Sequence, residues 1–251
     1  MAAALGFTAT LAAFTRGEAL MFLPLLVLPV TLCAPVDRRR KVGLVGAAAV
    51  AALVLLAPWT IYNATRFDDP VLVTTGLGPV VAGANCARTY GGAELGSWNV
   101  VCSVHKIAGD ESVVSRRLQS IGTTYARDHL FRVPVVAAAR VGRTLEMYDV
   151  DPNTLGPEWV QWLMAAAWYA LIPAAIAGIV ALRRRRVPVL PLVATFVTVV
   201  VAVALTWGTP RFRVPIDIVA IVLAAAAVDT WWPRRDPTAD AIRETPDTAP
   251  V

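Results

Sequence analysis

Five stretches of the chain, residues 19–36, 42–61, 158–182, 187–207 and 216–232, are almost free of charged side chains. Each is close to the length at which an α-helix, rising ~1.5 Å per residue, crosses the ~30 Å hydrocarbon core of a bilayer. A sixth apolar stretch, residues 1–14, is too short for a full span and runs directly into Arg16 and Glu18. The pattern predicts an all-α polytopic membrane protein with five full transmembrane helices and a partial one at the amino end. It divides the chain into residues 1–61, an intervening segment 62–157, three spans over 158–232 and a polar tail, 233–251, read as disordered.

The intervening segment is too long for a plain connection and should carry structure of its own. Residues 71–103 are rich in Gly, Val and Thr and suggest short strands or irregular loop. From Asp110 the apolar positions change to helical spacing, with Val114, Leu118, Ile121 and Tyr125 recurring along residues 110–130. This predicts an amphipathic helix, of a kind able to lie on a membrane interface. Pro134 then opens a second helix, about 134–147, bearing Arg140, Arg143 and Glu146. The segment as a whole is therefore mixed but mainly helical.

Charge adds orientation. Of the 251 residues 57% are hydrophobic and 16% charged, and the net charge is +5. The basic excess lies in Arg38–Lys41, Arg183–Arg186 and Arg234–Arg235, beside apolar stretches. That is a topological signal and not a nucleic-acid surface. It places those clusters and the tail in the cytoplasm, and the parity of the spans agrees with all three. Residues 62–157 then face the extracytoplasmic side, together with Thr15–Glu18 and the turn 208–215. No basic leader and no clear cleavage site mark a signal peptide.

Cys33 falls inside an apolar stretch and reads as a small packing residue. Cys86 and Cys102 share the outer segment, where oxidation is permitted, and a disulfide between them is expected. A metal site is the weaker alternative, because His105 is the only imidazole nearby and no ligand quartet appears. Asp68-Asp69 resembles an acidic pair for a metal or a sugar nucleotide, but before Pro70 it reads first as a solvated turn. There is no phosphate-binding glycine loop, zinc-protease motif or nucleophile elbow.

Arg16, Arg211 and Arg213 lie on the outer side, where the charge rule predicts few cations. Guanidinium groups bind phosphate through a forked donor set, so a lipid phosphate or pyrophosphate headgroup is one anion they could take. Snorkelling to membrane phosphates, or an Arg16–Glu18 ion pair holding the turn, explains the same residues without a ligand.

At these residues the chain resembles bacterial membrane glycosyltransferases of the C-type fold, related to protein O-mannosyltransferases and aminoarabinose transferases. The resemblance is carried by Thr15-Arg16-Gly17-Glu18-Ala19-Leu20 with Leu23-Pro24-Leu25-Leu26, and by Ala57-Pro58-Trp59-Thr60-Ile61-Tyr62-Asn63 with Arg66-Phe67. Gly83-Ala84-Asn85-Cys86, the segment from Ser115-Arg116-Arg117 to Asp128-His129, Arg140-Val141-Gly142-Arg143-Thr144 and Pro210-Arg211-Phe212-Arg213-Val214-Pro215 resemble actinobacterial members.

The resemblance implies a multi-pass protein of a bacterial plasma membrane. It implies transfer of a sugar from a polyprenyl-phosphate donor to a protein, glycan or lipid acceptor on the outer face, with nucleic acid playing no part. By position, Arg16, Arg211 and Arg213 would neutralise the donor phosphate, Glu18 would orient Arg16, and Asn63 and Arg66 would line the cavity under the outer segment. The family's catalytic acid lies in a first outer loop with no counterpart here, so the match is to the carboxy-terminal part of such an enzyme. A divalent-metal requirement is left open. Two other classes compete: a catalytically silent subunit that binds polyprenyl lipid, and a transporter. The latter is disfavoured because spans 42–61 and 187–207 carry no ionisable residue at mid-membrane and Asp217 and Asp229 lie towards the ends of the last stretch.

Overall fold

The computed structural model describes residues 1–148 and 157–231. All the regular structure among them is helical. In chain order the α-helices are α1 (Ala2–Thr15), α2 (Leu28–Leu32), α3 (Arg38–Arg66), α4 (Leu77–Ala84), α5 (Glu111–Asp128), α6 (Val133–Thr144), α7 (Glu158–Arg184), α8 (Leu190–Leu205) and α9 (Val214–Trp231). The expected polar tail, 233–251, lies outside the described residues.

Three helical stretches are long and apolar enough to cross a membrane: Arg38–Arg66, Trp162–Arg184 and Pro210–Trp231. They carry large apolar side chains outward, including Val50, Leu53 and Val54 on α3 and Ile218, Ile221 and Val222 on α9. Water penalises an apolar surface of that extent, whereas a hydrocarbon solvent does not. Helical threonines such as Thr10, Thr31 and Thr198 return their hydroxyls to the carbonyl four residues back, so no donor is left bare in an apolar setting.

The other two expected spans are shorter. Helix α8 has 16 residues, about 24 Å at ~1.5 Å per residue. The stretch Gly17–Leu32 is broken into a 3₁₀ turn (Gly17–Met21), a π turn (Leu23–Val27) and the single turn of α2. Pro24 and Pro29 account for the break, since neither can donate to the carbonyl four residues earlier. Cys33 follows this segment and is exposed rather than packed.

Two helix pairs close on small residues. Gly178 of α7 lies against the Leu223 backbone of α9, and Gly6 of α1 against the Ala48 backbone of α3. In each case a Cβ would strike a carbonyl of the facing helix, so these are the points where the backbones approach most closely. An apolar core beside the first pair contains Trp168, Val199, Val203, Ile216 and Leu223, joining α7, α8 and α9.

Where short strands or irregular loop were expected, the segment has one short helix, turns and irregular loop. Residues 71–103 contain α4 and two 3₁₀ turns, Gly92–Glu94 and Val100–Cys102, with no strand among the described residues. Side chains replace a ladder as backbone partners: Trp98 Nε1 donates to the Pro79 carbonyl at 3.0 Å, and Asn99 Oδ1 accepts from the Val101 N–H at 2.9 Å. The helix expected over 110–130 is α5, and its buried side chains are Ser112 and Leu118, whereas Ile121 is exposed. Helix α6 starts at Val133 and stops at Thr144, earlier than expected; Glu146 lies beyond it at φ 57°.

Substitution at the closest helix crossing gives a direct check. Gly178→Val should lower stability in detergent by about 1–3 kcal/mol through overpacking. Gly46→Ala, at a site with nothing within 4 Å, should leave the melting temperature unchanged or raised. Paired thermal denaturation curves measure both.

Candidate functional site: an arginine-walled cavity at the loop end of the bundle

The carboxyl end of α3, the amino end of α7, the carboxyl end of α8 and the amino end of α9 all face residues 67–148, here termed the loop end of the bundle. Helix α6 joins the two parts. One face of it, Val136, Ala139, Arg140, Arg143 and Thr144, is buried. Arg140, 3% exposed, donates from Nη1 to the Ala204 carbonyl of α8 (2.9 Å) and from Nη2 to the Ala84 carbonyl of α4 (2.6 Å). Both acceptors belong to helix carboxyl ends, where orphan carbonyls and the helix dipole favour a cation. Nη2 also reaches Asn85 Oδ1 at 3.1 Å, and Tyr90 donates its hydroxyl to the same oxygen. Burial pushes the Arg140 guanidinium below its ordinary value, but an arginine starts so high that it stays charged.

Arg143 holds the next part of the segment, donating to the carbonyls of Leu95 (2.7 Å) and Ala93. Gly96 follows, at φ +79°, and its carbonyl accepts from the Gly208 N–H at 2.9 Å. A side chain at either glycine would collide with α6, so a left-handed turn and a close approach are both required there. Cys86 and Cys102 are bonded at 2.14 Å and close the loop that carries these acceptors.

The turn before α9 is thereby pinned, and with it Phe212. The Arg16 guanidinium lies over the Phe212 ring, 4.5 Å from its centroid. Arg16 also donates from Nε and Nη2 to one oxygen of Glu18, at 2.9 and 2.7 Å. Its side chain is 47% exposed, and Nη1 has no hydrogen-bond partner among the described residues.

This ion pair stands in the walls of two cavities. The larger, about 870 Å³, is lined on its apolar side by Phe14, Leu55, Pro58, Trp59 and Val73, with Arg16 and Glu18 its only charged residues among those described. The smaller, about 80 Å³, has Arg16, Glu18 and Phe212 beside apolar residues of α8. A hydrophobic chamber with one forked cation suits an amphiphile with an anionic head.

The remaining sequence candidates fall in three places. Arg211 is exposed, with no ion-pair partner among the described residues. Arg213 is 4% exposed, bonded to Asp217 (2.9 Å), 3.3 Å from Glu146 and 4.4 Å over the Trp168 ring. Two carboxylates therefore already neutralise it, and it lines neither cavity. Asn63 is buried and donates to the Val71 carbonyl at 3.3 Å, while Arg66 is exposed over Phe67 at 5.1 Å; neither lines the larger cavity. Asp69 pairs with Arg116 at 3.0 Å, and no group of three metal-ligating side chains occurs among the described residues.

No protein-family model, curated protein or solved structure matches this chain. The chemistry of the site therefore stands on the geometry alone.

Sequence reasoning missed the holding role of Arg140 and Arg143 and the aromatic contacts of Trp98, Trp207 and Phe212. A signal existed for the arginines: residues 136, 140 and 143 share one face of a helix, so two cations fall on an apolar stripe. The contact of Trp98 with Trp207 joins residues far apart in the chain and left no such trace.

Two measurements probe this junction. Arg140→Leu leaves the Ala204 carbonyl without its donor, while Ala84 keeps the Thr89 hydroxyl, and should cost roughly 1–3 kcal/mol, whereas the exposed Arg117→Gln should stay within about 0.5 kcal/mol. The second concerns Asp110 at the start of α5. Its carboxylate accepts from the Ser112 hydroxyl and from the N–H groups of Val113, Asp68 and Ser112, which holds it at about 2, below the ordinary 3.8. A lowered value in the folded state stabilises fully above the ordinary range, and that contribution disappears as pH falls from about 3.8 to about 2. Amide protection factors across α5, corrected for the intrinsic exchange rate at each pH, should fall over that window in the native protein and show no such step in Asp110→Asn.

Proposed function

We propose that this chain is part of a multi-pass membrane glycosyltransferase that takes its sugar from a polyprenyl-phosphate donor. The observation that carries this reading is Arg16, set in the wall of a large, mainly apolar cavity with donor capacity to spare. An isoprenoid chain would fill the apolar part of the chamber and the phosphate would meet the guanidinium. In this reading the three long helices are joined as spans by Gly17–Leu32 and α8, giving five crossings. The arginine clusters lie in the cytoplasm of a bacterium, and residues 62–157 face outward.

The chemistry is displacement at the anomeric carbon with lipid phosphate as leaving group. Charge grows on that phosphate as the glycosidic bond breaks. Arg16 stabilises it, with the exposed Arg211 as a second cation from the adjoining turn. Glu18 orients Arg16, and Arg213 holds the turn through Asp217 and Glu146 rather than meeting the ligand. We assign no catalytic base within these residues, and an acceptor remains a protein, a glycan or a lipid by this chemistry.

A second reading, a silent subunit that binds polyprenyl lipid without transferring sugar, is favoured by one observation. The only carboxylate lining the larger cavity among the described residues, Glu18, is already engaged by Arg16. Turnover of a polyprenyl-phosphate sugar by the purified protein separates the two.

The shared element is tested with farnesyl phosphate on protein in lipid nanodiscs, followed through tryptophan fluorescence, since Trp59 lines the cavity. Arg16→Gln should weaken binding at least about tenfold, the scale of a lost charge-assisted hydrogen bond. Equal binding of farnesol and farnesyl phosphate by the native protein would sink the phosphate reading.

A further inference from the structure

A line of aromatic rings runs from the disulfide-closed loop to the Arg16 guanidinium. Trp98, anchored through its indole N–H to the Pro79 carbonyl, lies 5.7 Å from Trp207 between ring centroids. Trp207 lies 5.0 Å from Phe212, and the Phe212 face carries Arg16 at 4.5 Å. All three separations are within the range in which ring quadrupoles and a cation attract one another. On one side Phe212 packs against the apolar core of α7–α9, and Trp207 makes a tilted ring contact with it. Trp207 itself precedes Gly208, whose N–H is bonded to Gly96 inside the closed loop. Thus the loop holds Trp207 twice, by a ring contact from Trp98 and by a backbone bond one residue away.

We infer that Trp207 is a positioning residue for Arg16. It transmits the geometry of the loop closed by Cys86 and Cys102 to the Phe212 face on which the guanidinium rests. The Arg16 guanidinium has two restraints among the described residues, Glu18 and Phe212. Glu18 holds the Nε–Nη2 edge of the fork through one oxygen, and the ring beneath sets the tilt of the plane about that edge. That plane decides where the unused Nη1 donors point. The inference rests on Arg16 being the anion-binding group of the proposed function, and its structural half can be read without any ligand.

The test follows the Arg16 Nε–Hε resonance in arginine-¹⁵N-labelled protein in detergent micelles, identified by its loss in Arg16→Lys. This proton is bonded to Glu18 and lies beside an aromatic face, so its shift reports both restraints. Trp207→Leu should move the resonance and weaken farnesyl phosphate binding between about two- and tenfold, and Trp207→Phe should restore both in part. The joint variant Cys86→Ser with Cys102→Ser, which alters no ring, should shift it in the same direction. It keeps the inference testable if Trp207→Leu does not fold. An unmoved Arg16 resonance in every folded variant overturns the positioning role. A resonance that moves while the native protein fails to bind farnesyl phosphate upholds the positioning and removes the lipid-phosphate reading instead.

Discussion

The buried guanidinium of Arg140 is the constraint on which the loop end depends. It lies between the carboxyl ends of α4 and α8, taking a carbonyl from each. Ala84 shares its carbonyl with the Thr89 hydroxyl, and Arg140 is the side-chain donor to Ala204: a buried carbonyl without a donor costs free energy, and a buried cation without acceptors costs more. Each therefore answers the other. The result is a joint between the intervening segment and the apolar bundle, beside the bonds that Trp59, Thr60 and Asn63 of α3 and Trp168 and Tyr169 of α7 also make to that segment. Arg143, one helical turn on, extends the joint to the loop 93–96 and through Gly96 to the turn that precedes α9.

From that joint the cavity inherits its one cationic wall. The turn after α8 is fixed by Gly208 and by Thr144, whose hydroxyl accepts from the Thr209 N–H at 3.2 Å. Phe212 then supports Arg16, which comes from the opposite end of the sequence. The neighbouring arginines of the turn have separate tasks. Arg213 is enclosed by the carboxylates of Asp217 and Glu146 and by Trp168, whereas Arg211 is exposed. Adjacent cations in one motif thus differ in what they can offer a ligand, because burial and counter-charges differ over two residues.

Three helices of the bundle are long and apolar enough to cross a membrane, and their packing accords with an apolar solvent. Small residues permit close helix approach where apolar solvent supplies no hydrophobic drive, and hydroxyls bond back to their own helices. The break at Gly17–Leu32 shows the limit of reading length from hydropathy. Its composition is that of a span, but two prolines remove backbone donors and divide it into 3₁₀, π and α turns. Hydropathy counts side chains, and prolines act on the backbone.

The chain's own order of residues determined the helical class, the three long apolar helices, the start of α5 at its Asp110 cap and the pair of cysteines in one segment. These are local properties: period, length, capping and composition act over a few turns and leave a pattern in sequence. Arg16, Glu18 and the turn 210–215 were legible as candidates because charge at the end of an apolar stretch is conspicuous. Tertiary structure alone decided that Arg16 meets Phe212, that Arg213 is enclosed by two carboxylates, that Asn63 and Arg66 do not line the larger cavity and that Arg140 caps two helices. Those outcomes depend on which distant surfaces pack together, and a guanidinium's chemistry is set by the neighbours that packing brings to it.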